Sequence, residues 1–259
     1  MFKILGALSG FLVLGFIGLI LGLIGGSFID RLLAYGPGGV NPFNAARRQS
    51  VFLETVFILM GKLAKADGRV SESEVSHVEQ FMQKLRMTRE HRLQAIALFK
   101  QGAAKDYDLQ PQLSQFLAAC GHSPDLKQML LVYLIIMALS DGHLNAEEEE
   151  LLRIIASRLG YPPGAFEQLL DMVLNQMHFA AGGGADSVNA LEDAYRALGV
   201  GSDSTDEEVK RAYRKLMSQY HPDKLMGQGV PEDMVAVATE RAQEVQIAYD
   251  LIKKSRNLK

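Results

Sequence analysis

"TDEEVKRAYRKLMSQYHPDK", residues 205–224, decides how the C-terminal part of the chain folds. Thr205 stands three residues before Glu208, the spacing of a capping box in which each side chain serves the other's backbone amide and opens a helix. Val209, Ala212, Tyr213, Leu216 and Tyr220 then recur at helical spacing on one apolar face. Lys210, Arg211, Arg214 and Lys215 fill the rest, so the helix shows cations to solvent. It cannot run through Pro222, whose ring removes an interior hydrogen bond and drives His221 out of helical geometry. His221 and Asp223 are therefore expected on a tight exposed turn beside the cationic face.

The flanking sequence completes a small unit. Leu191, Tyr195 and Leu198 mark a short amphipathic helix ended by Gly199 and Gly201. Beyond the turn, Gly227 and Gly229 read as a loop and Pro231 as the first turn of a third helix. Along that helix Ala238, Ala242, Val245, Tyr249 and Ile252 are spaced to pack antiparallel on the second. The expectation is a helical hairpin closed by a short first helix. "DAYRALGV", "TDEEVKRAYRKLMSQYHPDK" and "AQEVQIAYDLI", in that order, resemble the J-domain of DnaJ-type co-chaperones over residues 188–259.

That resemblance implies a role without chemistry in this chain. In the family the His-Pro-Asp tripeptide makes a DnaK-type chaperone hydrolyse ATP, and by matching motif the role falls on His221, Pro222 and Asp223. Lys210, Arg211, Arg214 and Lys215 would steer the unit toward an acidic patch on that chaperone, with Lys224 extending the basic surface. The Gly/Phe-rich segment, the cysteine-rich zinc region and a fourth J-domain helix are not in the sequence. No cofactor is expected.

The middle of the chain, residues 50–179, reads as an all-helical bundle. Phe52, Val56, Leu59 and Leu63 form one apolar stripe, and Leu130, Tyr133, Leu134 and Met137 another, each needing partner helices. An internal repeat runs through it, "AKADGRVSESE" at 64–74 and "ALSDGHLNAEE" at 138–148. In each copy a helix ends at Asp-Gly, with Gly68 or Gly142 at a position suited to positive φ. Ser71 or Asn145 then stands three residues before Glu74 or Glu148, again a capping box. Asp67, Glu74, Asp141 and Glu148 would offer four oxygen ligands to a divalent ion if the corners met, although the spacing is not that of an EF-hand and capping already explains both glutamates. The paired Asp-Gly corners resemble the TerB-like family, which implies a fold rather than an activity.

The N-terminus is of another kind. "ILGALSGFLVLGFIGLILGLIGGSF", residues 4–28, carries no charge and exceeds the ~20 apolar residues that cross a bilayer. We read residues 1–30 as a transmembrane anchor, since the apolar run is too long for a cleaved secretory signal. Gly6, Gly10, Gly18, Gly22 and Gly26 pair at four-residue spacing, a flat stripe on which two copies would form a homodimer. Lys3 is outweighed by Arg31, Arg47 and Arg48, which places a short N-terminus in the periplasm and the bulk in the cytoplasm, at the inner membrane. Residues 31–49 and the glycine-rich stretch 180–187 read as linkers. With the two resemblances, this order matches a membrane-anchored DnaJ-like co-chaperone.

Composition narrows the alternatives. A formal net charge of −3 gives no global attraction to nucleic acid, and the acidic residues of 188–259 leave that unit without net positive charge either. A hydrolase built on His221 and Asp223 lacks a nucleophile or third metal ligand in the pattern. Cys120, the sole cysteine, reads as a buried apolar side chain. The remaining competitor is an envelope or metal-responsive sensor acting through the central bundle, with the C-terminal unit as its output.

Overall fold

The computed structural model describes residues 42–66, 72–139, 142–181 and 190–257. The membrane anchor and its glycines lie outside them, and among the described residues no helix is long and apolar enough to cross a membrane. The architecture is all-α: among the described residues there are eleven α-helices and no strand. They are α1 (Pro42–Leu63), α2 (Glu72–Lys84), α3 (Arg89–Gly102), α4 (Leu109–Cys120), α5 (Pro124–Ala138), α6 (Ala146–Arg158) and α7 (Pro163–Ala181), then α8 (Ala190–Ala197), α9 (Asp206–Tyr220), α10 (Pro222–Gln228) and α11 (Val235–Ser255). A 3-10 turn, Glu232–Met234, leads into α11. Helix α1 begins at Pro42, inside the segment read as linker; proline suits a first helical turn, where its missing N–H would have had no partner.

Two helices carry the core of the bundle. The expected stripe of α1 is buried, but so are Val51, Leu53, Phe57, Ile58 and Met60 on its other sides. Helix α5 behaves the same way, with Leu130 to Ile135 all fully enclosed. A helix apolar on every side must be surrounded, so α1 and α5 sit inside a shell of others rather than at its edge. Where they meet, the Phe52 ring lies 6.1 Å from Tyr133 and 6.2 Å from Phe116, and Phe81 lies 5.9 Å from Tyr133. Thr55 is the polar exception in α1. Its hydroxyl donates to the Val51 carbonyl at 2.6 Å and accepts from Gln112 Nε2 at 2.8 Å, which satisfies the buried pair.

Helices α1 and α3 touch through their backbones. A Cβ on Gly61 would stand 2.0 Å from the Phe99 carbonyl oxygen, and one on Gly102 would stand 1.9 Å from that of Ile58. The two absences are reciprocal, and together they set how closely the helices cross. At the second repeat corner, Gly142 has φ +88 and ends the preceding segment. Asn145 Oδ1 accepts from Glu148 N at 2.8 Å while Glu148 Oε2 accepts from Asn145 N at 3.2 Å, the expected capping box. Gly68 and Ser71 of the first corner lie outside the described residues.

Residues 49–259 form one compact unit, so the C-terminal hairpin rests on the bundle. Helix α7 packs along α8 and α11, and Gln176 Nε2 donates to the Ala197 carbonyl at 3.2 Å. The Tyr133 hydroxyl, enclosed in α5, donates to the Met234 carbonyl at the entry to α11. Burial pushes that phenol well above its ordinary value, so it stays a donor. Within the hairpin, Tyr213 stacks on Tyr249 at 4.0 Å, and Arg256 at the end of α11 bonds the Ser204 carbonyl at 2.7 Å and Asp206 at 3.0 Å.

Gly61→Ala and Gly102→Ala are each expected to lower unfolding free energy by about 1–3 kcal/mol, because the added methyl meets a carbonyl with no flexible side chain to yield. Gly164→Ala in α7, where nothing lies within 4 Å, is expected to be neutral or stabilising. Denaturant titrations of the three variants check the contrast.

Candidate functional site

The His-Pro-Asp corner is built by one residue acting on two helices. His221 caps the end of α9 and the start of α10 at once, with φ −64 and ψ 121. Pro222 ends α9 as expected. It also occupies the first helical position of α10, where its fixed φ is already helical. The expected glycine loop is therefore corrected: residues 222–228 are a short helix that follows α9 across the single non-helical residue His221. Leu225 N donates to the His221 carbonyl at 3.1 Å to start it, and Leu225, fully buried, pins it. Gly229 ends it at φ +124, with the Gly229 amide on the Leu225 carbonyl at 3.0 Å. Pro231 precedes the 3-10 turn rather than opening α11 itself.

His221 and Asp223 are exposed and Pro222 half-buried. On α9, Arg211, Arg214 and Lys215 are exposed, and Lys210 is half-buried with Glu207 at 3.9 Å. Glu207, Arg211, Arg214, Ser218 and His221 recur at three- and four-residue steps, so corner and cations share one side, opposite buried Val209, Leu216 and Tyr220. Lys224 is exposed as well, but it is paired with the bundle. Its Nζ lies 2.8 Å from Asp125 Oδ2 in the first turn of α5 and 3.1 Å from Ser218 Oγ.

Behind the corner stands a buried polar cluster that sequence reasoning missed. Tyr220 is 1% exposed and its hydroxyl is pushed up to about 12, mainly by desolvation. Beside it Arg241 Nη1 and Glu244 Oε2 are 2.6 Å apart on α11, both buried. Helix α11 packs against α8, α9 and α7, and the pair is buried among them.

Asp67, Asp141 and the Glu74 side chain lie outside the described residues, and Glu148 is engaged in its capping box. Among the described residues no three His, Cys, Asp or Glu side chains are grouped to hold a metal ion. Cys120 is buried, as expected.

Comparison with known proteins agrees with this order of parts. Family models match in sequence: the co-chaperone DjlA transmembrane domain over residues 1–50, tellurite resistance protein TerB over 53–171, and the DnaJ domain over 193–258. The chain is 38% identical to co-chaperone protein DjlA of Photobacterium profundum over 99% of both chains, and 37% identical to that of Shewanella oneidensis over 90% of both. The protein of that name from Coxiella burnetii is 36% identical over 99% of this chain and 98% of its own. No solved structure matches significantly. The chain belongs to the DjlA family of membrane co-chaperones.

The capping box that opens α9 holds the whole cationic face in register. Glu208 Oε2 accepts from Thr205 N at 2.8 Å and from the Thr205 hydroxyl at 2.8 Å, which lowers its carboxyl below the ordinary 4.5, the backbone bond contributing most. A lowered acid stabilises the fold above its ordinary value and loses that contribution as pH falls through the folded value. Thr205→Ala is therefore expected to cost about 1 kcal/mol near neutral pH. The deficit relative to wild type should shrink below pH 4.5, as followed by urea denaturation across that range.

Proposed function

We propose that the J-domain of this chain, residues 188–259, docks on a DnaK-type chaperone through His221, Pro222 and Asp223 and makes it hydrolyse ATP at the inner membrane. The observation that carries the reading is the corner itself: a proline-defined break, exposed, held between two helices and flanked by Arg211 and Arg214. Membership of the DjlA co-chaperone family supports it.

In this reading the chain supplies no reacting group. The chaperone holds nucleotide and water, and the corner binds its hydrolysis-competent conformation better than the resting one, which shifts the equilibrium between them. Each tenfold acceleration asks for about 1.4 kcal/mol of such differential binding. Lys210, Arg211, Arg214 and Lys215 act earlier, drawing an acidic surface into encounter. Residues 1–30 anchor the chain, with the bulk cytoplasmic where ATP is consumed, so the chaperone is recruited to the membrane surface. Pairs of glycines from Gly6 to Gly26 would let two anchors associate, and the central bundle, residues 50–179, stands between anchor and J-domain.

Full-length chain in lipid nanodiscs is the material for the test. His221→Gln is expected to bring single-turnover ATP hydrolysis by a DnaK-type chaperone down to its unstimulated rate; a variant as active as wild type sinks the reading. The double variant Arg211→Glu with Arg214→Glu is expected to slow association severalfold at low salt, a difference that fades toward 0.5 M salt, where screening is on the order of a few ångströms.

A further inference from the structure

The central bundle does not merely neighbour the corner; it grips it on both sides. Gln219, in the last turn of α9, exchanges both amide bonds with Gln128 of α5, at 3.2 and 2.9 Å. In α10, Lys224 meets Asp125 at 2.8 Å, and the Gln228 amide straddles the same turn, donating to Asp125 at 2.8 Å and accepting from the Ser123 hydroxyl at 3.1 Å. Farther on, Asp233 pairs with His91 of α3 at 2.6 Å. Residues 221–223 lie between these holds. All the gripping groups but His91 come from one turn, Ser123 to Gln128, whose Ser123 hydroxyl also caps α5.

We propose that Asp125 acts as an internal stand-in for the acidic partner, so that the bundle brakes the J-domain until the first turn of α5 lets go. This rests on the co-chaperone reading above. Lys224 adjoins the corner and would meet a carboxylate on the chaperone; here that place is taken by Asp125, whose side chain is only 16% exposed. A partner carboxylate must displace it, and binding to the corner and closure of the grip then oppose each other through a negative coupling. Lys215, itself exposed, lines a cleft of about 490 Å³ between α9 and α7 together with Gln128, Asp171 and Asn175. The grip is made of side-chain hydrogen bonds, the Lys224–Asp125 ion pair and the His91–Asp233 contact at a partly solvated seam. Each such bond shifts an equilibrium by roughly tenfold or less, so the closed state is reversible. Fully buried Leu225, Val230 and Met234 lie along the same segment, so release of these polar bonds loosens the seam without emptying its core.

The test uses the full chain in nanodiscs with three substitutions: Asp125→Lys, which repels Lys224; Asp125→Asn, which keeps shape; and Gln228→Ala, which removes the straddling amide from the other side. Two readouts are taken. Hydrogen exchange over residues 222–234, without chaperone, is expected to quicken in Asp125→Lys and Gln228→Ala while unfolding temperature holds. Stimulated ATP hydrolysis at sub-saturating chaperone is expected to rise about fivefold or more in Asp125→Lys, with a smaller rise in Asp125→Asn. Unchanged exchange overturns the grip. Stimulation that stays equal or falls, while remaining sensitive to His221→Gln, overturns the brake and makes the bundle a brace. Absence of stimulation from wild type and variants alike brings down the co-chaperone reading itself, and the brake with it.

Discussion

Enclosure of α5 is the constraint on which the rest depends. Its middle is apolar all round and its Tyr133 ring packs against those of Phe52 and Phe81, so its direction is fixed by packing rather than by propensity. With the direction fixed, its two useful points are fixed as well. Tyr133 presents a hydroxyl to the Met234 carbonyl, and the opening turn presents Ser123, Asp125 and Gln128 to the far side of the corner. One buried helix thus carries both the core of the bundle and its hold on the C-terminal hairpin. The reciprocal glycines of α1 and α3 serve the same end, by letting the shell close tightly around it.

What was legible in the sequence was what short-range sterics decide. Capping boxes at Thr205 and Asn145 were visible because each is written within four residues. Pro222 announced a break because its ring acts only on its neighbours. The hairpin followed from periodicity, and so did the buried faces of α1 and α5. Their enclosure on all sides did not, since a stripe reports one partner and says nothing of a second. Helix α10 was missed for a related reason: seven residues hold under two turns, too few for a period, and the glycines at 227 and 229 read as loop. The partners of Ser123 and Asp125 in the hairpin lie about a hundred residues away, where no local pattern reaches. Arg241 and Glu244 show the same limit, because their burial depends on the helices packed around α11.

The electrostatics of the corner follow from which charges remain in water. Arg211 and Arg214 are exposed and free to act at the range of a Debye length, about 8–10 Å. Lys224 is exposed too but is paired with Asp125 at 2.8 Å, and a paired ammonium projects little field beyond its partner. A charge count along the sequence treats these cations alike, whereas the fold sorts them into those that steer and one that is held.

Pro222 leaves a mechanical legacy. Residues 206–228 are two helical segments on either side of a single non-helical residue, His221, which the ring of Pro222 holds out of helical geometry. Without it the two could fuse into one rod of about 35 Å at 1.5 Å per residue. Such a rod would carry the tripeptide along its flank, pointing wherever the helical phase dictated. The imino acid converts a straight strut into an elbow, and so turns a periodic surface into a single protruding tip.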